Sequence, residues 1–232
     1  MRSAILIALA LLLLQEKNEA EELLKKAAEK VSKAETFQCA SQIDIHGPPG
    51  KFRAEQSLYL AAGNRVRYEC KIKRGAEEKR QLIVSDGKKY SVLFPEKKSD
   101  VDTPADFNED IKAMIPRVSL MGAVEGAAVP MLGGGKAMES LIFSDFKLGK
   151  EEKSGERKLR SIHYHIKQTK PTRAVQTIDG DCVLWVDSET LLPVKRELTM
   201  KFGDKGDMIW IESFTDTKLN EKIDPAKFEL PK

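Results

Sequence analysis

Residues 37–73 read FQCASQIDIHGPPGKFRAEQSLYLAAGNRVRYECKIK and hold three runs in which apolar and polar side chains alternate. The segments GPPG at 47–50 and GN at 63–64 separate the runs with residues that favour turns. Alternation with a period of two is typical of strands that bury one face and solvate the other. This part of the chain therefore predicts three strands of an antiparallel meander.

Further β-type segments follow along the chain. The Asp86-Gly87 pair lies between two short apolar runs and is a strong hairpin signal. After Lys150, strand patterns recur at 162–167, 182–186, 194–202 and 208–214. We therefore predict an α+β fold built on an unclosed, strongly curved antiparallel β-sheet, a half-barrel of about ten strands.

Two segments are expected to cover the concave face of this half-barrel. Residues 16–36 place alanine, leucine and valine at helical spacing, which predicts an amphipathic N-terminal helix. Residues 101–148 form an insert within a single domain of residues 15–232, and their stretch 118–135 holds one charged residue, Glu125. Four of the seven methionines lie in this insert. Because methionine is flexible and polarizable, the insert is predicted to be a helical lid that repacks around apolar guests. A plain core helix with a loop is the alternative.

The N-terminus carries the signals of an export sequence. Residues 1–14 read MRSAILIALALLLL, with Arg2 ahead of 11 consecutive apolar residues. This length fits the apolar region of a signal peptide and is too short to span a bilayer. The segment predicts a signal peptide at 1–14 and a periplasmic protein, and a buried N-terminal helix is the alternative.

Composition and charge narrow the classes of partner. The 232 residues are 41% hydrophobic and 32% charged, as in globular proteins. The 39 basic and 36 acidic residues are interspersed and leave a formal charge of +3. Because the net charge is small and the basic residues do not cluster in the sequence, we expect no nucleic-acid partner.

The three cysteines are predicted to be unpaired where the pattern can place them. Cys39 and Cys70 share the inward parity of the first and third strands, which lie about 9–10 Å apart in a meander. A disulfide requires Cα atoms within about 7 Å of each other. We therefore expect both residues to be buried free thiols.

No pattern in the chain indicates catalysis. Gly135-Lys136 lacks the surrounding residues of a phosphate-binding loop. His163 and His165 lie on one face of a predicted strand, and two solvent-facing histidines are favoured over a metal pair. We expect a protein that is not an enzyme and that uses no metal or cofactor.

Three short segments resemble the periplasmic outer-membrane lipoprotein carrier family, the LolA-like proteins. Leu82-Ile83-Val84-Ser85-Asp86-Gly87-Lys88 resembles the central hairpin of that family, and Ile223-Asp224-Pro225-Ala226-Lys227-Phe228 resembles its C-terminal signature. The stretch 184–196, with an acidic turn followed by Pro193 and a basic strand, is similar to relatives of that fold. The order of these segments also matches the family.

The resemblance implies a carrier that binds lipid or lipoprotein acyl chains in an apolar cavity. Such a carrier works as a monomer, moves its cargo across the periplasm toward the outer membrane, and meets a membrane-protein donor and acceptor transiently. The alternatives are a periplasmic sensor of the same fold that binds a signalling protein, or an envelope protein without a transport role. The predicted lipid-binding residues are Phe37, Ile43, Ile45, Phe52, Leu58, Leu60, Val66, Tyr68, Ile72, Leu82 and Val84, with Met121 and Met131 from the lid.

One position departs from the family pattern. The family carries Arg-Pro ahead of an Asn before the third strand, and that Arg latches the lid. Here Ala62 and Gly63 precede Asn64. Arg65 and Arg67 are close by, but the alternation points both outward. The sequence therefore offers no latch residue at this turn.

Overall fold

The computed structural model describes residues 19–48, 50–94, 97–128, 140–169, 179–201, 204 and 206–231. Helix α1 covers 19–32 in this part of the chain. The elements that follow are β1 Phe37–Gly47, β2 Gly50–Ala61, β3 Arg65–Arg74, β4 Glu77–Asp86, β5 Lys89–Phe94, β6 Lys97–Asp102, α2 Phe107–Met114, α3 Leu120–Ala128, β7 Leu141–Ser154, β8 Arg157–Gln168, β9 Asp179–Asp187, β10 Pro193–Lys201, β11 Asp207–Leu219 and a 3-10 helix at Pro225–Phe228.

The strands form one antiparallel sheet in the order β6-β5-β4-β3-β2-β1-β11-β10-β9-β8-β7. The first and last strands pair in the middle of the sheet, where Phe37 lies opposite Leu219 and His46 opposite Ile209. Strands β6 and β7 form the two edges. The prediction of a large unclosed antiparallel sheet is confirmed, with eleven strands in place of about ten.

The predicted insert at 101–148 is shorter than expected, because its two ends belong to the sheet. Strand β6 takes 101–102, and strand β7 begins at Leu141. The sequence of β6, KKSDVD, has one apolar residue, as suits an edge strand that must resist pairing with other chains. Strand β7 has irregular pairing after Ser144 and after Leu148, so its alternation is interrupted.

The two faces of the sheet differ in what covers them. We call the face that carries Phe37, Leu58 and Tyr68 the inner face, and these three side chains are at most 1% exposed. Side chains of α1, α2 and α3 pack with the inner face in one continuous core. The opposite side is the outer face.

Polar contacts join α2 to its neighbours. The Lys112 ammonium donates a hydrogen bond to the carbonyl of Ala34, just after α1. The Asn108 amide donates to the carbonyl of Ala61 at the end of β2, 2.5 Å away. Helix α2 is therefore held at the open end of the β1–β2 hairpin, just before β1 begins and at the last residue of β2.

The C-terminal segment runs across the outer face. The Asp224 carboxylate accepts a hydrogen bond from Ala226 N at 3.0 Å and caps the 3-10 helix. The Phe228 ring is buried, with the Arg65 guanidinium 5.5 Å from its centre. Arg67 donates to the carbonyl of Lys227 at 3.1 Å. Both arginines therefore point outward, as predicted, and hold this segment on β3.

Two further expectations concern cysteines and the N-terminus. Cys39 and Cys70 are buried and form no disulfide, as predicted, and the same holds for Cys182. The proposed signal peptide at 1–14 lies outside the described residues. Among the residues that are described, no helix has the length and apolar character that crossing a membrane requires.

Candidate functional site

Most of the side chains predicted to line a lipid cavity lie on the inner face. In the described part of the chain they belong to a core shared with the helices, so a guest would have to replace part of that core. The residues that are at most 1% exposed are Phe37, Ile43, Ile45, Leu58, Leu60, Val66 and Tyr68, and Phe52 and Ile72 are partly buried against the same core.

Two predicted lining residues lie on the outer face instead. Leu82 and Val84 pair with outer-face residues of β3, whereas Ile83 lies opposite Tyr68 on the inner face. The parity was wrong because residues 83–85 are all buried, so hydrophobicity alone does not reveal which side faces inward. Ile83 therefore takes the place assigned to its two neighbours.

Helices α2 and α3, which we together call the cover, pack side chains into one core with the inner face. Residues 115–119 connect the two helices, and we call 115–120 the α2–α3 turn. Ile111, Leu120 and Val124 are fully buried in the shared core, and Met121 is 7% exposed. Met131, the other methionine assigned to the site, lies outside the described residues. The buried side of the cover is thus mainly apolar, with Asn108 and Lys112 as its buried polar residues on α2.

A buried ion pair on the sheet holds the α2–α3 turn. Arg196 of β10 and Glu212 of β11 are each 1% exposed, with Nη1 2.8 Å from Oε2. Arg196 Nη2 donates to the carbonyl of Ile115 at 2.6 Å, and Nη1 also donates to the carbonyl of Val118. Glu212 Oε1 accepts from the backbone N–H of Leu120 at 3.0 Å. The pair therefore satisfies the end of α2 and the start of α3, where helical backbone groups otherwise lack partners.

The carboxylate continues into a chain of hydrogen bonds across the sheet. Ser41 donates to Glu212 Oε1 at 3.3 Å, and the Gln56 amide donates to Ser41 Oγ at 3.2 Å. The Tyr68 hydroxyl then donates to Gln56 Oε1 at 2.7 Å. With Arg196, this polar row crosses five adjacent strands of an otherwise apolar face.

A second contact fixes the α2–α3 turn from β8. The Tyr164 hydroxyl donates to the carbonyl of Arg117 at 2.9 Å. Burial raises the pKa of Tyr164 well above its ordinary value and raises the pKa of Cys182 to about 11. Both groups are therefore neutral near pH 7, and the charge in this region belongs to the ion pair.

The charge state of the pair follows from its surroundings. Burial lowers the pKa of Arg196, but Glu212 and Tyr164 outweigh that effect and raise it, so the guanidinium stays charged. Burial raises the pKa of the Glu212 carboxyl, while Arg196 and the hydrogen bond from Leu120 act in the opposite direction. Since the guanidinium sits 2.8 Å away, protonating Glu212 would leave a buried cation without its counter-ion.

Some buried donors near the pair have no partner among the described residues. Arg196 Nε and Trp210 Nε1 are buried and make no hydrogen bond there. Trp210 lies two residues before Glu212 on β11 and so on the same face. Two buried N–H donors on adjacent strands β10 and β11 are therefore unused by the described residues.

The two histidines flagged by the sequence lie on the outer face. His163 is exposed, and His165 lies 2.9 Å from Asp181 and 3.2 Å from Asp179. Neither histidine contributes to the inner face.

Arg196 and Glu212 were not among the site residues predicted from the sequence, although each strand carried a signal for its residue. In β10, Arg196 falls at the same parity as Leu198, and in β11, Glu212 falls at the same parity as Phe214. A charged residue at an inward position of an alternating strand is unusual enough to mark a buried partner.

No family model matches the chain, and no curated protein matches it. Solved structures do match. LprF from Mycobacterium bovis is 7% identical, and the match covers 89% of this chain and 95% of that chain, with a TM-score of 0.48. A LolA superfamily protein from Nitrosomonas europaea is 14% identical over 90% of this chain and 97% of that chain, with a TM-score of 0.35.

A chain of the Pseudomonas aeruginosa MucA/MucB complex is 16% identical, with a TM-score of 0.42. That match covers 92% of this chain and 61% of the other, so this chain spans about three fifths of that neighbour. The matched structures thus include a LolA superfamily protein and a "putative outer membrane lipoprotein-sorting protein domain", the class of protein that the sequence segments resemble.

Proposed function

We propose that the protein binds acyl chains of lipids or lipoproteins on the inner face, beneath α2 and α3, and carries them across the periplasm. The observation that carries this proposal is the way the cover is attached. Hydrogen bonds to Arg196, Glu212 and Tyr164 hold its turn, and Asn108 and Lys112 hold α2, whereas the side chains packed between these points, such as Ile111, Leu120 and Val124, are apolar. Such contacts can be exchanged for an equally apolar guest.

Two opposing free-energy terms enter this exchange. A guest chain of a dozen methylenes gains roughly 10 kcal/mol at about 0.8 kcal/mol each when it leaves water. Displacing α2 and α3 re-exposes buried side chains such as Ile111, Leu120 and Val124, which opposes that gain. Because this cost offsets part of the gain, the net affinity is lower than the gross transfer free energy, and cargo can be released.

The alternative is a sensor that binds a signalling protein. It predicts a stable protein partner with no lipid on the inner face. A direct measurement of acyl binding at a defined place in the structure separates the two proposals.

Tryptophan fluorescence provides that measurement, because the chain has two tryptophans on opposite faces. Trp210 lies on the inner face, opposite Ile45, whereas Trp185 lies on the outer face beside Lys195. In a Trp185→Phe variant, a dodecanoyl probe brominated near its chain end is expected to quench Trp210 in a saturable manner. Bromine quenches only at close range.

The Trp210→Phe variant is the matched control and should show no saturable quenching of Trp185. Mass spectrometry of extracts from the purified protein should also detect bound lipid. Acyl binding is excluded if the probe quenches neither tryptophan and the extract contains no lipid.

A further inference from the structure

From the contacts of the α2–α3 turn, we infer that the Arg196–Glu212 pair is a recognition site for a secondary amide next to an alkyl chain. This inference rests on the proposed acyl-binding function and specifies the polar group that a guest presents. An N-acylated amphiphile is therefore the expected class of ligand, in preference to esters or plain hydrocarbons.

The α2–α3 turn supplies peptide carbonyl and N–H groups to the pair. It offers the carbonyls of Ile115 and Val118 to Arg196 and the N–H of Leu120 to Glu212. These are peptide amide groups held against an apolar wall. When the turn moves away, the pair loses two acceptors and one donor at once.

An ion pair that has lost these hydrogen-bond partners is less favourable in free energy. Both side chains are 1% exposed and sit within the core, so lost hydrogen bonds are not replaced by bulk water while a guest covers the site. A guest with a carbonyl and an N–H restores both kinds of contact. A guest with a carbonyl alone restores only the contacts of Arg196.

Buried N–H donors also lie near the pair. Arg196 Nε and Trp210 Nε1 are buried without a partner among the described residues, even with the turn in place. The Glu212 carboxylate is shared between Arg196, Ser41 and Leu120. A guest carbonyl therefore meets donors that the turn does not fully use.

The predicted order of probe affinities is the reverse of the order that a purely apolar cavity gives. An amide loses more hydration than an ester or an ether when it leaves water. A purely apolar site therefore ranks the ether tightest and the amide weakest. A site that reads the amide reverses that order.

The test uses three probes with one alkyl chain, N-methyldodecanamide, methyl dodecanoate and dodecyl methyl ether. Each competes with the brominated dodecanoyl probe for the Trp185→Phe protein. We expect the amide to bind at least tenfold more tightly than the ester, and the ester more tightly than the ether. Equal binding, or the order ether, ester, amide, overturns the inference and leaves acyl binding intact. If no probe competes and the brominated probe itself does not bind, acyl binding fails as well.

A double variant shows that the pair is responsible. Arg196→Met with Glu212→Leu removes both charges together, which buried ion pairs often tolerate. This variant, made in the Trp185→Phe background, should lose the amide preference and rank the probes in the order ether, ester, amide that an apolar site gives.

The control removes both charges of another ion pair, Asp44 and Arg53, which bridges β1 and β2 on the outer face. Its substitutions are Asp44→Asn and Arg53→Gln. It should keep the amide preference. An amide preference that survives in the Arg196→Met/Glu212→Leu variant overturns the assignment. If that variant does not fold, the probe order in the parent protein still decides the question.

Discussion

Arg196 and Glu212 face each other across β10 and β11, 2.8 Å apart, with both side chains shielded from water to the same degree. Removing two charges from water is expensive, and a buried pair often contributes little net stability for that reason. Its contacts with the α2–α3 turn give it a positional role, because the two side chains fix where the cover meets the sheet. The predictions below start from this relationship.

The losses in free energy of unfolding from changes at the pair should not add, because the second change should restore part of the stability that the first removes. Arg196→Met leaves the Glu212 carboxylate buried without its counter-ion and should lower the free energy of unfolding by about 3–5 kcal/mol. Arg196→Met with Glu212→Leu should recover at least about 1 kcal/mol of that loss, because no buried charge remains. Urea unfolding of both variants measures the difference, and a double variant less stable than the single one would contradict the expectation.

Thiol labelling should report movement of the cover. Cys182 contacts the same buried region as Arg196, and burial holds its pKa at about 11, so few molecules carry a thiolate at pH 8. In a Cys39→Ala/Cys70→Ala background, Cys182 should react slowly with iodoacetamide. Loss of the pair by Arg196→Met/Glu212→Leu should speed labelling at least tenfold, through local opening.

The Asp44→Asn/Arg53→Gln variant in the same background should label at the parent rate, since its side chains lie on the outer face. Equal rates in all three proteins would mean that the pair does not restrain the cover.

The β2–β3 turn should matter through its asparagine. Asn64 has φ of 58°, and its side chain donates to the carbonyl of Ala105 at 2.5 Å and accepts from Asn108 N at 3.2 Å. Asn64→Gly keeps the backbone conformation but loses both bonds, and should cost about 1–2 kcal/mol. Asn64→Ala adds strain from the positive φ and should cost about 1 kcal/mol more. Thermal unfolding that ranks the alanine variant above the glycine variant would refute the strain argument.

Acid should weaken the β9–β10 turn. Burial raises the pKa of Asp187, but hydrogen bonds from Glu189 and Thr190 outweigh it and hold the pKa below its ordinary value. The unfolded state then binds the proton more readily, so this stabilisation is present above about pH 4 and is lost as the pH falls through the lowered pKa. Asp187→Asn should be less stable than the parent at pH 7 and nearly equal to it at pH 2.

The exposed Asp207 supplies the comparison for this measurement. Asp207→Asn should unfold in urea at the parent midpoint at pH 7, while Asp187→Asn should not. A constant difference between Asp187→Asn and the parent from pH 7 to pH 2 would argue against a charge effect.

How far the sequence could predict the molecule depended on how each strand is covered. In β1, β2 and β3 one face is buried and the other solvated, so alternation assigned Ile43, Leu58 and Tyr68 correctly. In β4 the C-terminal segment and the core bury both faces near Val84, and the parity was lost. A pattern that depends on contrast between two faces fails where both faces are dry.

Arg196, which holds the α2–α3 turn, was not predicted for a different reason. The resemblance directed attention to the β2–β3 turn, where Ala62 and Gly63 offer no guanidinium. The structure places a guanidinium from β10 under the α2–α3 turn instead, far away in sequence. Only the sheet order brings Glu212 between Ser41 and Arg196, and single-sequence patterns do not contain that order.

The pairing of β1 with β11 has a consequence for how the chain acquires its shape. Strands β1–β6 and β7–β11 each form a meander of sequence neighbours, but they meet where Phe37 joins Leu219, across most of the polypeptide. Closing so long a loop is entropically costly and delays long-range strand pairing. Synthesis must pass Leu219 at the end of β11 before the two meanders can pair, so the strand edge of β1 in the nascent chain waits without its partner strand.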